Sequence, residues 1–97
     1  MPLYLSGAMH CTSYQPTTAA AVKIAAAANA AGPRLIQSVG ASDCNIGPAG
    51  VTASGAARGW LLKGGQTPPD SYVDASGSDL WAIGNGGTAD LTVVEIY

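Results

Sequence analysis

Four sets of residues in this chain have the types that chemistry uses. The first is His10-Cys11 with Cys44, an imidazole and two thiols. Zinc takes four ligands from clustered motifs, and no CxxC or HxxxH spacing occurs here. His10 has no GxSxG elbow and no identifiable partner acid, so it reads as a surface or packed histidine, not a general base. The two cysteines lie far apart in a chain without a signal sequence, and are expected to stay reduced as small buried hydrophobes. The second set is the carboxylates Asp43, Asp70, Asp74, Asp79, Asp90 and Glu95. Most fall where turns are expected, and aspartate there bonds nearby backbone. Asp74 and Asp79 flank Ser76-Gly77-Ser78 but lack the alternating ligand series of a calcium loop. Third, Gly84-Asn85-Gly86-Gly87 lacks the Gly-Lys-Ser/Thr of a phosphate loop and the strand and helix of a dinucleotide fingerprint. Fourth, Trp60 and Trp81 offer either core volume or a stacking platform for sugar. Their neighbours Leu61-Leu62, Leu80 and Ile83 favour core.

The elements that must hold these residues are strands. The stretch Leu80 to Tyr97 sets two apolar runs either side of Asn85-Gly86-Gly87, residues that accept positive φ at little cost, and is expected to form a β-hairpin. In its second arm Leu91, Val93, Glu95 and Tyr97 share one face and Thr92, Val94 and Ile96 the other, so neither face is polar throughout. A carboxylate within that apolar face suggests a sheet edge or a subunit contact, with Arg34 or Arg58 as its partner. Upstream, Arg34 to Val39, Cys44-Asn45-Ile46 and Arg58 to Lys63 read as strands, and Ser71-Tyr72-Val73-Asp74 leads toward the final pair. Glycine and proline signals recur about every 8 to 12 residues, the spacing of a sandwich or small barrel. For Thr17 to Ala31, alanine favours a helix while the alternation of Ala20, Val22, Ile24 and Ala26 favours a strand, and the residues alone leave both open.

Composition bounds the function. Ninety-seven residues with a net charge of −2 make one domain. Only 10% of residues are charged against 47% hydrophobic, so the chain folds or assembles, and its charge-poor surface invites a covering partner. Four basic residues and an acidic pI near 4.8 give no footprint for nucleic acid. No apolar run reaches membrane-spanning length and no signal peptide is recognisable, so a soluble intracellular product is expected. Met1 to Pro16 has Leu3, Tyr4, Leu5, Met9 and Tyr14 but no Lys, Arg, Asp or Glu, and reads as an extended arm that docks on a neighbour ahead of a domain spanning 17–97, or else as a ragged terminus packed on its own domain or partly disordered.

The order Arg34-Leu35-Ile36-Gln37-Ser38-Val39-Gly40, Cys44-Asn45-Ile46-Gly47, Val51-Thr52-Ala53-Ser54-Gly55, Leu61-Leu62-Lys63-Gly64-Gly65, Asp79-Leu80-Trp81-Ala82-Ile83 and Gly87 to Glu95 resembles small β-sandwich structural proteins of tailed bacteriophage virions. The resemblance covers roughly residues 20 to 97. It implies an all-β fold, a small antiparallel β-sandwich or barrel-like domain, in which Val22-Lys23-Ile24 is a strand. It also implies a non-enzymatic capsid decoration or cement protein on the virion surface, made in the bacterial host cytoplasm. The implied partners are the major capsid protein or other virion subunits, with no nucleic acid, membrane, metal or cofactor, and a homotrimer suited to three-fold sites. A carbohydrate- or receptor-binding module of a fibre or tail is the alternative. The candidate interface residues are Leu3, Tyr4, Leu5, Met9, Tyr14, Glu95 and Tyr97.

Overall fold

The structure is a computed structural model and describes residues 8–27 and 32–96. Eight strands follow one another: β1 (Met9–Tyr14), β2 (Val22–Ala25), β3 (Arg34–Ser38), β4 (Asp43–Gly47), β5 (Trp60–Leu62), β6 (Ser71–Asp74), β7 (Leu80–Asn85) and β8 (Leu91–Ile96). They form two four-stranded antiparallel sheets, sheet A in the order β1-β8-β3-β6 and sheet B in the order β2-β7-β4-β5. The fold is a β-sandwich. Ile36, Leu91 and Val93 of sheet A pack on Ile24, Cys44, Ile46, Leu62, Leu80 and Ala82 of sheet B, with Tyr14 and Tyr72 closing against them. Fully burying each branched aliphatic side chain contributes about 1.5–3 kcal/mol.

Strand formation follows the local chemistry, and strand pairing does not. β7 and β8 are not the hairpin expected from their sequence, because they belong to different sheets. β7 is flanked by β2 and β4, β8 by β1 and β3. Gly86, at φ +80°, makes the turn, but it sends the chain across the core. The first connection supports that crossing: Gly84 N–H donates to Thr17 O at 2.8 Å and Ala89 N–H to Pro16 O at 3.0 Å. A Cβ on Gly84 would lie 2.4 Å from Gly87 O and 2.7 Å from Pro16 O, so only glycine fits there.

The arm reading also gives way where the chain is described. Met9–Tyr14 pairs with β8 along its whole length, from Met9 opposite Ile96 to Tyr14 opposite Leu91. An edge strand is held by backbone pairing on one side, so its side chains need not show the apolar alternation that a central strand requires. Leu3, Tyr4 and Leu5 lie outside the described residues, as does Tyr97. In the alanine-rich stretch the strand reading holds for Val22–Ala25, and a register shift between Lys23 and Ala25 lets both Ile24 and Ala25 face the core. Residues 28–31 lie outside the described residues.

Candidate functional site

Strand alternation and the three ladders of sheet A define its outer face. Three outward rows run across the strands: Met9 opposite Ile96; Cys11, Val94, Leu35 and Val73; and Ser13, Thr92, Gln37 and Ser71. The middle row is apolar from one sheet edge to the other, and the next is uniformly neutral and polar. None of these ten residues is Asp, Glu, Lys, Arg or His. Met9 is 67% exposed and Val73 61%, and Leu35 is also exposed. An exposed, charge-free, four-strand face is the kind of surface that binds another protein.

The inner face of the same sheet carries the opposite chemistry at one end. Arg34, Asp74 and Glu95 are all buried there, Arg34 to 1% exposure. Arg34 Nη2 donates to Asp74 Oδ2 at 2.5 Å and also to the Ser78 carbonyl, tying β3 to β6 and to the connection that follows it. Burial pulls the Asp74 carboxyl upward. Hydrogen bonds from Ser76 and the Arg34 guanidinium outweigh that and hold it below the usual carboxylate range. Arg34 Nε and Nη1 and Glu95 Oε2 are buried without a hydrogen-bond partner. The expected edge or subunit pairing of Glu95 is therefore corrected. Its strand is central, its side chain faces inward opposite His10 in the register, and Arg34 gives its ion pair to Asp74. Arg58, the other expected partner, is exposed in the β4–β5 connection.

Asp70 and Asp74 make the local backbone bonds that turn chemistry predicts, whereas Asp43 and Asp79 reach N–H groups in distant connections and Asp90 accepts from the Gln15 side chain. Asp43 accepts from Gly64 N–H, Asp70 from Lys63 and Ser71 N–H, and Asp74 from Ser76 N–H. Asp79 accepts from Ala27 N–H at 2.7 Å, and that bond with the nearby Lys23 ammonium lowers its pKa. Lys23 Nζ stands 3.5 Å from Asp79 and 5.7 Å from the Trp81 ring centroid. Trp81 is half-buried, but Trp60 is 57% exposed, so the core reading fails for Trp60. It lies on the edge strand β5 and meets Tyr72 of edge strand β6 at 5.6 Å between ring centroids, closing one side of the sandwich. The cysteines are unlinked. Cys44 is buried, and burial, with Asp43 and Asp70 adding, pushes its thiol up to about 12. Cys11 is exposed on the outer apolar row, contrary to the expectation that both would be buried, because β1 presents it away from the core.

Of the expected interface residues, Met9 is on the outer face of sheet A, while Tyr14 and Glu95 point inward. The residues that complete the face, Cys11, Leu35, Val73 and Val94, were not among the interface residues expected from sequence. The signal available was β8 itself, whose two faces are both largely apolar, as a strand covered on both sides requires. Among the described residues no group of three or more His, Cys, Asp or Glu is placed to hold a metal ion, and no helix is long and apolar enough to cross a membrane. Compared with protein-family models, curated proteins and solved structures, the chain matches none. The likeness to virion sandwich modules therefore rests on the sequence alone.

Proposed function

We propose that this chain is a non-enzymatic structural module of a virion, of the capsid decoration or cement type, which works by adhesion. The observation that carries the reading is the exposed, charge-free outer face of sheet A, which has the composition of an interface core. Two further features support it. Asp43, Asp70, Asp74 and Asp79 are engaged by backbone N–H groups that brace turns, which suits a scaffold better than proton transfer. The charge-poor composition also suits a protein whose surface is covered in an assembly. A bound module stabilises a shell by mass action, by about 2.7 kcal/mol per site at a hundred times its dissociation constant. The test adds purified chain to tailed-phage heads that lack it and measures bound copies and the temperature of shell rupture. Saturable binding at many sites with a raised rupture temperature is expected; absence of binding overturns the proposal.

A second reading, a carbohydrate-binding module of a fibre or tail, is favoured by one observation, the exposure of Trp60 beside Tyr72. Stacking of a sugar on these rings would quench tryptophan fluorescence in the wild type and not in Trp60→Leu. Quenching across a panel of host-surface glycans, with no binding to heads, would replace the cement reading with this one.

A further inference from the structure

We propose that a second copy of this chain covers the outer face of sheet A, with the two sheets packed face to face about a two-fold axis that runs along the strands between β8 and β3. This rests on the reading of that face as a docking surface and names its occupant. The argument is the symmetry of the face. Rotation about that axis exchanges β8 with β3 and β1 with β6 while keeping each cross-strand row at its own height. Val94 then meets the partner's Leu35, and Cys11 meets the partner's Val73, apolar on apolar along the whole row. Thr92 meets the partner's Gln37 and Ser13 the partner's Ser71, neutral polar on neutral polar.

Charge points the same way. The chain is net negative, and two negative molecules are brought together most readily through a face that carries no charge on either copy. Aligned packing of sheets about 10 Å apart is the ordinary geometry for such faces, and an isologous contact of this kind closes at two copies. It is therefore a pair, where the sequence resemblance implied a trimer. Area sets its strength. Four strands about 4.8 Å apart and three rows about 6.7 Å apart make a face of roughly 350 Å² per copy. Two such faces stay below the roughly 1,200 Å² of a standard interface. The pair is consequently weak in dilute solution and is strengthened where copies are concentrated on a common surface.

Sedimentation equilibrium of the full chain reads this directly. The average mass is expected to rise toward twice the chain mass between about 10 µM and 1 mM, the range of a small interface. Leu35→Lys and the more exposed Val73→Lys remain monomeric with unchanged circular dichroism, whereas Leu61→Lys, on the edge strand of sheet B, associates like the wild type. Register is tested by cross-linking. In Val73→Cys the new thiol faces the partner's Cys11 across the sheet spacing, so a short bismaleimide joins two chains. In the wild type the two Cys11 residues are three strands apart as well as one sheet spacing, roughly 17 Å, and the same reagent fails. A wild type that stays monomeric throughout overturns the pair, as does a trimer, equal cross-linking of both proteins, or equal disruption by Leu61→Lys. None of these readouts involves phage heads. If Leu35→Lys, still folded, occupies heads like the wild type, adhesion to heads stands but uses neither the pair nor this face; if neither binds, the function fails whatever the solution mass.

Discussion

Sheets A and B treat their outer faces differently. On sheet B the long connection 48–59 folds back over the strands. Val51 is 3% exposed and packs on Gly47 and Gly59, and Asn85 Nδ2 donates to Asn45 Oδ1 at 3.0 Å and to Ala53 O at 3.4 Å. Asn45, on the outward side of β4, is thereby buried to 2% exposure with its carbonyl satisfied. Nothing comparable among the described residues lies over Leu35 and Val73 of sheet A. That sheet instead places Arg34, Asp74 and Glu95 on its inner side and an apolar row on its outer side. A face that the chain covers itself needs its polar atoms matched within the chain, because an unmatched one costs about 1–3 kcal/mol. A face reserved for a neighbour is better without charge, because each charge would have to find a partner across the contact.

Four measurements break or sharpen that contrast. The largest effect is expected at the charged inner end of sheet A. Arg34→Met leaves Asp74 buried and unpaired and should lower the unfolding free energy in urea by about 3–5 kcal/mol, while Arg34→Met with Asp74→Leu recovers most of the loss. The same pair has an acid signature. Asp74 has a folded pKa below its unfolded value of 3.8, so its contribution is fully present above about pH 4 and is lost as pH falls through the lower folded value. Arg34→Met should flatten that acid-side loss; an unchanged profile would show that Arg34 does not hold the carboxylate ionised.

An intermediate effect is expected on the covered face. Asn85→Ala orphans Asn45 Oδ1 beneath the 48–59 connection and should cost about 1–3 kcal/mol in thermal unfolding. Gln37→Ala, on the polar row of sheet A, should change stability by no more than about 0.5 kcal/mol. Equal costs at the two sites would remove the distinction between a covered and an uncovered face. The smallest perturbation is thiol labelling of the native chain under non-reducing conditions. Cys11 should react promptly and Cys44 only as fast as the sandwich opens, since its thiol is buried with a pKa near 12. Equal native rates would mean that the core between the sheets is not closed around Cys44.

The positions of most strands, though not of β1, were legible in the sequence because alternation, β-branched runs and glycine or proline breaks are local properties. Arg34–Ser38, the Cys44 strand and Leu91–Ile96 all lie where those signals put them. Local turn chemistry was legible too, as the bonds of Asp70 and Asp74 to Ser71 and Ser76 N–H show, though not those of Asp43 and Asp79 to Gly64 and Ala27, 21 and 52 residues away. So was the parity of β8, which places Glu95 on the side of Leu91 and Val93. Tertiary structure decided which strands became neighbours. Side-chain alternation has the same period in either sheet and does not say which sheet a strand joins. Asn85-Gly86-Gly87 permits a tight turn, yet the connection 86–90 is also long enough to cross from one sheet to the other, and pairing of β8 with β1 and β3 selects the crossing. For the same reason the outer row Cys11, Val94, Leu35 and Val73 was invisible in the chain. Its four members are scattered from one end of the sequence to the other, and only the order β1-β8-β3-β6 lines them up.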